Sequence, residues 1–69
     1  MHRHEEHLIS ILAQADEPLF ASEITKQLNE RMGARIPYTT IQVVMSLTGL
    51  AQHIQQDGHG RWMLKRPVS

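Results

Sequence analysis

The chain carries Tyr38, Thr39, Gln42 and Ser46 at the spacing of one helix face. A glutamine amide sets a donor beside an acceptor, the pattern that pairs with the edge of an adenine. Threonine and serine hydroxyls reach bases or phosphates. No lysine or arginine occurs from residue 36 to residue 52. The cations stand on either side: Arg31 and Arg35 before this stretch, and Arg61, Lys65 and Arg66 after it. His59 lies two residues before Arg61, in a Gly-rich turn. Such cations neutralise phosphates and release counterions but read no base. The missing cation within the stretch removes the commonest base contact, arginine to guanine. Thr39 and Gln42 also have a purely structural use. The run Thr39-Thr40-Ile41-Gln42 has the form of a capping box, in which both side chains serve their own helix.

Other chemistries find little material. His4 and His7 are three apart and can share a helix face, with His2, Glu5 and Glu6 nearby. A structural zinc site needs about four ligands in fixed geometry, and no distant partner is visible. No metal and no other cofactor is expected. The chain has no cysteine, so thiolate nucleophiles, disulfides and thiolate metal sites are excluded. No phosphate-binding Gly-rich loop follows a strand, and no carboxylate pair marks a cleft. A domain this small also struggles to enclose a ligand pocket of about 300 Å3. The expectation is a protein that is not an enzyme and takes no small-molecule substrate.

The elements that position these residues follow from periodicity and punctuation. Leu8, Ile11, Leu12 and Ala15 fall at helical spacing and predict a first helix over 4–15. Asp16-Glu17-Pro18 ends it, because the residue before a proline disfavours the helical conformation. Leu19-Phe20-Ala21 reads as a short extended link. Ser22 is a fitting N-cap and Glu23 suits the positive end of a helix. A second helix over 23–32 follows, with Ile24 and Leu28 on its apolar stripe and Gly33 as its stop. After a connection over 34–37, a third helix over 39–48 is expected to bury Ile41, Val44 and Leu47, with Val43 as a further candidate. The period then changes. Residues 53–65 flank Asp57-Gly58-His59-Gly60 and predict a β-hairpin with Ile54, Trp62 and Leu64 facing the core. Phe20 completes the expected core, and residues 66–69 read as a loose tail.

With 69 residues there is room for one domain, spanning 1–69, with a thin core that a partner could stabilise. No apolar run reaches the roughly 18 residues of a membrane span, and no signal-peptide stretch follows the charged start, so a cytoplasmic protein that does not contact membrane is expected. The formal net charge is zero, but it is unevenly spread. Residues 1–23 set one arginine against five carboxylates, a net −4; residues 24–69 set six cations against two carboxylates, a net +4. Such segregation suggests a polarised surface.

Helix, link, helix, helix and hairpin is an α+β order, that of a winged helix-turn-helix in which the hairpin is the wing. The stretch from Leu8 to Leu64 resembles the DNA-binding domains of two bacterial repressor families, the ferric-uptake regulators and the penicillinase repressors. The residues carrying the resemblance are Ile11-Leu12 with Glu17-Pro18-Leu19, Ser22-Glu23-Ile24 with Leu28, Tyr38-Thr39-Thr40-Ile41, and Gly58 to Leu64. Both families carry a second domain for metal sensing or dimerisation, and the 69 residues of this chain leave room for one domain, so none is expected here. Its exit from the third helix is reduced to Leu47-Thr48-Gly49-Leu50. The resemblance implies a bacterial or phage-like transcriptional regulator that binds double-stranded DNA, with a homodimer as one expected form. The third helix would enter the major groove and the wing would lie beside it. The implied contacts are Arg31, Arg35, Tyr38, Thr39, Gln42, Ser46, His59, Arg61 and Lys65. The zero net charge and cation-free third helix keep a second reading open, a protein-interaction module of the same fold that binds no DNA.

Overall fold

The computed structural model describes residues 3–65. Three helices come first: α1 (Arg3–Gln14), α2 (Ala21–Met32) and α3 (Thr40–Gly49). Two strands follow, β1 (Ile54–Gln56) and β2 (Trp62–Leu64), paired antiparallel with Ile54 opposite Leu64 and Gln56 opposite Trp62. Backbone pairing extends one step beyond them, since the Lys65 N–H donates to the His53 carbonyl at 2.8 Å. The expected hairpin over 53–65 is therefore present. The expected tail over 66–69 lies outside the described residues.

The link after α1 does more than connect. Leu19 exchanges two backbone hydrogen bonds with Trp62, 3.0 Å from its own N–H and 2.7 Å to its carbonyl. The hairpin is thereby tied across to the helical layer. This tie also explains where α2 begins. Ser22 is not its cap: the N-cap is Phe20, extended and without a side-chain cap, and its carbonyl accepts from Glu23 and Ile24 N–H at 3.0 and 3.1 Å. With Leu19 held in the sheet, the chain turns helical directly after Phe20. Gly33 ends α2 with φ +58°, a left-handed conformation that glycine adopts without strain, and its N–H caps the Asn29 carbonyl at 3.0 Å.

The core gathers Leu8, Ile11 and Leu12 of α1, Ile24 and Leu28 of α2, Val43 and Leu47 of α3, then Leu50 and Ile54. Trp62 and Leu64 are half-buried and pack against it. Three expected core residues are corrected. Phe20 is 53% exposed and Ile41 is 74% exposed, while Val44 is only half-buried. The inward side of α3 is Val43 and Leu47, four residues apart, and Leu50, its C-cap, continues the same line three residues further on. Ile41 precedes Val43 by two positions, about 200° around a helix, and so lies on the opposite side.

Candidate nucleic-acid interface

The capping box at the start of α3 is formed in full. Gln42 N–H donates to Thr39 Oγ1 at 3.2 Å, and Thr39 N–H donates to Gln42 Oε1 at 2.9 Å. The glutamine carbonyl is thus used by the helix, and the box leaves the Nε2 amide outside it. Just upstream, Asn29 of α2 grips the backbone of Tyr38 at both polar groups. Its Nδ2 donates to the Tyr38 carbonyl at 3.0 Å and its Oδ1 accepts from the Tyr38 N–H at 2.8 Å. This clamp fixes the angle at which the chain leaves the connection and enters α3. The sequence carries no signal for this role of Asn29, because an asparagine inside a helix is ordinarily a solvated polar residue.

Tyr38, Gln42 and Ser46 come together, as expected from their spacing, but with two further residues. His4, from the first turn of α1, and Met45 join them around a shallow cleft of about 270 Å3. His4 Nε2 and Ser46 Oγ are 2.9 Å apart, either one donating according to the imidazole tautomer. The rings of His4 and Tyr38 lie 5.5 Å apart at 32°. The signal for His4 was in the sequence: residues 4, 8, 11 and 12 share one helical stripe, so His4 continues the inward face of α1. Among the described residues no group of three or more histidines and carboxylates could hold a metal.

The outward side of α3 carries Thr40, Ile41, Gln42, Met45 and Thr48. Ile41 and Met45 are 74% and 70% exposed, four residues apart, and Ile36 in the connection is 81% exposed. Such a surface can hydrogen-bond base edges and make apolar contact with methyl groups, but it cannot neutralise a phosphate.

The cations separate into two sets. Arg31 turns away from α3 and donates from Nη1 to Ser10 Oγ at 2.9 Å and from Nη2 to Gln14 Oε1 at 2.7 Å, so its side chain lies along α1. Arg35 is exposed in the connection leading to α3, and Lys65 is exposed just after β2. Arg61 is built into the wing. Its Nε donates to Asp57 Oδ2 at 2.9 Å, and Asp57 Oδ1 accepts from the His59 and Arg61 N–H groups, each at 2.9 Å. Partial burial works against ionisation of Asp57. The two N–H groups and the Arg61 guanidinium outweigh it and hold the carboxyl below its ordinary range. Using Nε on Asp57 leaves the terminal nitrogens of the guanidinium for another acceptor. His59 is exposed at the tip, and Gly60 completes the turn with φ +82°.

A larger depression of about 530 Å3, at the other end of α1, includes Gln14, Asp16, Glu17 and Gln27. Its lining contains no serine, threonine, lysine or histidine. No helix among the described residues is long and apolar enough to cross a membrane.

Three helices, an extended link bridged to the hairpin, and a wing built on Asp57 define a winged helix-turn-helix domain. No family model and no curated protein matches the sequence. Among solved structures, the chain is similar to the DNA-binding domain of Rok, determined in solution, at a TM-score of 0.70 and 20% identity across 96% of this chain. The chain spans 63% of the length of that chain. At this identity the likeness shows the fold.

Proposed function

We propose that this domain binds double-stranded DNA as part of a transcriptional regulator and performs no enzymatic chemistry. The observation that carries the reading is the likeness, over nearly the whole chain, to a domain whose described role is DNA binding. The local geometry supports it. Asn29 and the capping box present α3 rigidly, and its outward side bears Thr40, Gln42 and Thr48 for base edges. Arg35 precedes α3 in the chain and Arg61 and Lys65 follow it, as the residues proposed for phosphates, together with Thr39, Tyr38, Ser46 and His59. Arg31 is the weakest member of the expected set, since its guanidinium is engaged on α1. Arginines outside the reading helix fit a division in which flanking cations give affinity and neutral groups on α3 give sequence preference. The resemblance to ferric-uptake regulators and penicillinase repressors is supported as far as the fold, and an intracellular, nucleoid-associated location follows from the DNA-binding reading.

The second reading, a protein-interaction module, draws on one observation: Ile36, Ile41 and Met45 are exposed beside a face without charge. Such a face is inexpensive to desolvate against another protein, including a second copy of the chain. Chemical-shift mapping with a short duplex separates the two. DNA binding predicts shifts at residues 38–49 and 57–65. Absence of any shift at low salt, together with concentration-dependent broadening at Ile41 and Met45, supports self-association instead.

A further inference from the structure

Asp57 opens the turn of the wing and Arg61 closes it. Their backbones pair, the Asp57 N–H donating to the Arg61 carbonyl at 2.9 Å. Their side chains pair as well, through Arg61 Nε and Asp57 Oδ2 at 2.9 Å. We infer that Asp57 is a positioning residue for nucleic-acid binding: its carboxylate holds the Arg61 guanidinium by Nε, so that the two terminal nitrogens form a fixed fork for a backbone phosphate. The inference rests on the DNA-binding reading above.

The two carboxylate oxygens of Asp57 have separate roles. Oδ1 accepts from the His59 and Arg61 N–H groups and makes the turn. Asparagine performs that function equally well, since its side-chain oxygen bonds the N–H two residues on in the same way. The turn is closed further by Gly60 N–H on the Asp57 carbonyl at 3.3 Å and by Gln56 Nε2 on the Gly60 carbonyl at 3.0 Å. Oδ2 takes no part in the turn. It meets Arg61 Nε, and that contact requires a carboxylate rather than an amide. Among the described residues the guanidinium engages Asp57 alone. A guanidinium has five N–H donors, so one spent at Nε leaves four on the terminal nitrogens, in the planar geometry that suits two phosphate oxygens. The carboxylate weakens the long-range pull of Arg61 on a polyanion. Its contribution comes at contact, because a long side chain that binding would have to order is ordered beforehand.

This arrangement makes a prediction opposite to that of net charge: removing an acid should weaken binding to DNA. The test is fluorescence polarisation of a labelled random duplex of about 20 base pairs with wild type, Asp57→Asn, Arg61→Ala, the double variant and Arg61→Lys. Asp57→Asn keeps the oxygen that makes the turn and sets an N–H₂ or an uncharged oxygen against Nε. It should bind about three- to tenfold more weakly than wild type, the cost of ordering one long side chain. In the Arg61→Ala background the same substitution should cause no loss, a coupling that the double-mutant cycle isolates. Lysine keeps the charge but has a single nitrogen, which Asp57 would occupy, so Arg61→Lys should bind about as weakly as Arg61→Ala. Without DNA, the Arg61 Nε–H resonance should exchange slowly with water in wild type and rapidly in Asp57→Asn, while the Gln55 and Met63 amide resonances stay in place. Unchanged or tighter binding by Asp57→Asn with Arg61 present overturns the inference. Equal losses in both backgrounds also overturn it, because Asp57 would then act through the shape of the wing. If Asp57→Asn loses the hairpin resonances, Arg61→Lys decides alone, and wild-type affinity in that variant overturns the inference. Each of these results leaves DNA binding standing, whereas a wild type that binds no duplex overturns both.

Discussion

Replacing Asn29 tests whether the α2–α3 connection is held by side-chain hydrogen bonding. Asn29 satisfies both the N–H and the carbonyl of Tyr38, at 2.8 and 3.0 Å. Each such bond contributes about 0.5–1.5 kcal/mol net, so Asn29→Ala should cost about 1–3 kcal/mol. For a domain of this size 1 kcal/mol corresponds to about 4–8 °C in Tm. The variant should therefore melt roughly 5–20 °C below wild type, followed by circular dichroism and checked by urea titration. Asn29→Asp adds a sharper criterion. The carboxylate still accepts from the Tyr38 N–H but sets an oxygen against the Tyr38 carbonyl. Its deficit relative to wild type should narrow at acid pH, where the protonated acid can donate. An Asn29→Ala variant within about 0.5 kcal/mol of wild type, the range of an ordinary surface substitution, would refute the clamp.

The corrected register of α3 predicts unequal costs for neighbouring truncations: Val43→Ala should lose about 1.5–3 kcal/mol, whereas Ile41→Ala should stay within about 0.5 kcal/mol, both by urea denaturation. Gln42→Glu keeps the capping box, since glutamate serves equally at that position, but replaces the amide with an anion; it should fold normally and bind duplex DNA at least tenfold more weakly. Because the Asp57 carboxyl is held below its ordinary range, its contribution to the wing is complete above about pH 3.9. That contribution is lost as pH falls through the lower folded-state value. The His59 and Arg61 amide resonances should report that loss, and wing resonances unchanged throughout the acid titration of Asp57 would contradict it.

Much of this fold was legible because its punctuation is local. Pro18, Gly33 and the Asp57–Gly60 turn each end or reverse the chain through backbone preferences that need no tertiary context, and the capping box at Thr39 is written in four consecutive residues. The core of α3 was less legible. Apolar residues at 41, 43, 44, 45 and 47 surround the helix almost evenly, so periodicity alone did not choose a side. Leu50, beyond the helix, decides it by packing with Val43 and Leu47. The start of α2 is hidden from local sequence for a related reason. Ser22 looks like a cap, but the Leu19–Trp62 bridge, made between residues 43 positions apart, sets where the helix begins. At the candidate interface, Tyr38, Gln42 and Ser46 converge as a single helix face requires. His4 and Asn29 belong to other helices, and only packing brings them there. Arg31 was placed by charge, and charge does not reveal that Ser10 and Gln14 lie within its reach.

The most direct test of the DNA-binding account is the salt dependence of association with random duplex DNA, by polarisation from about 20 to 200 mM monovalent salt. Contacts from Arg35, Arg61 and Lys65 predict that log K falls linearly with log salt, with a slope of roughly −2 to −3 at about 0.9 per phosphate neutralised. Arg61→Ala should reduce that slope by about one unit while weakening all duplexes alike. Binding that is undetectable at the lowest salt, where electrostatic association is strongest, would contradict the account.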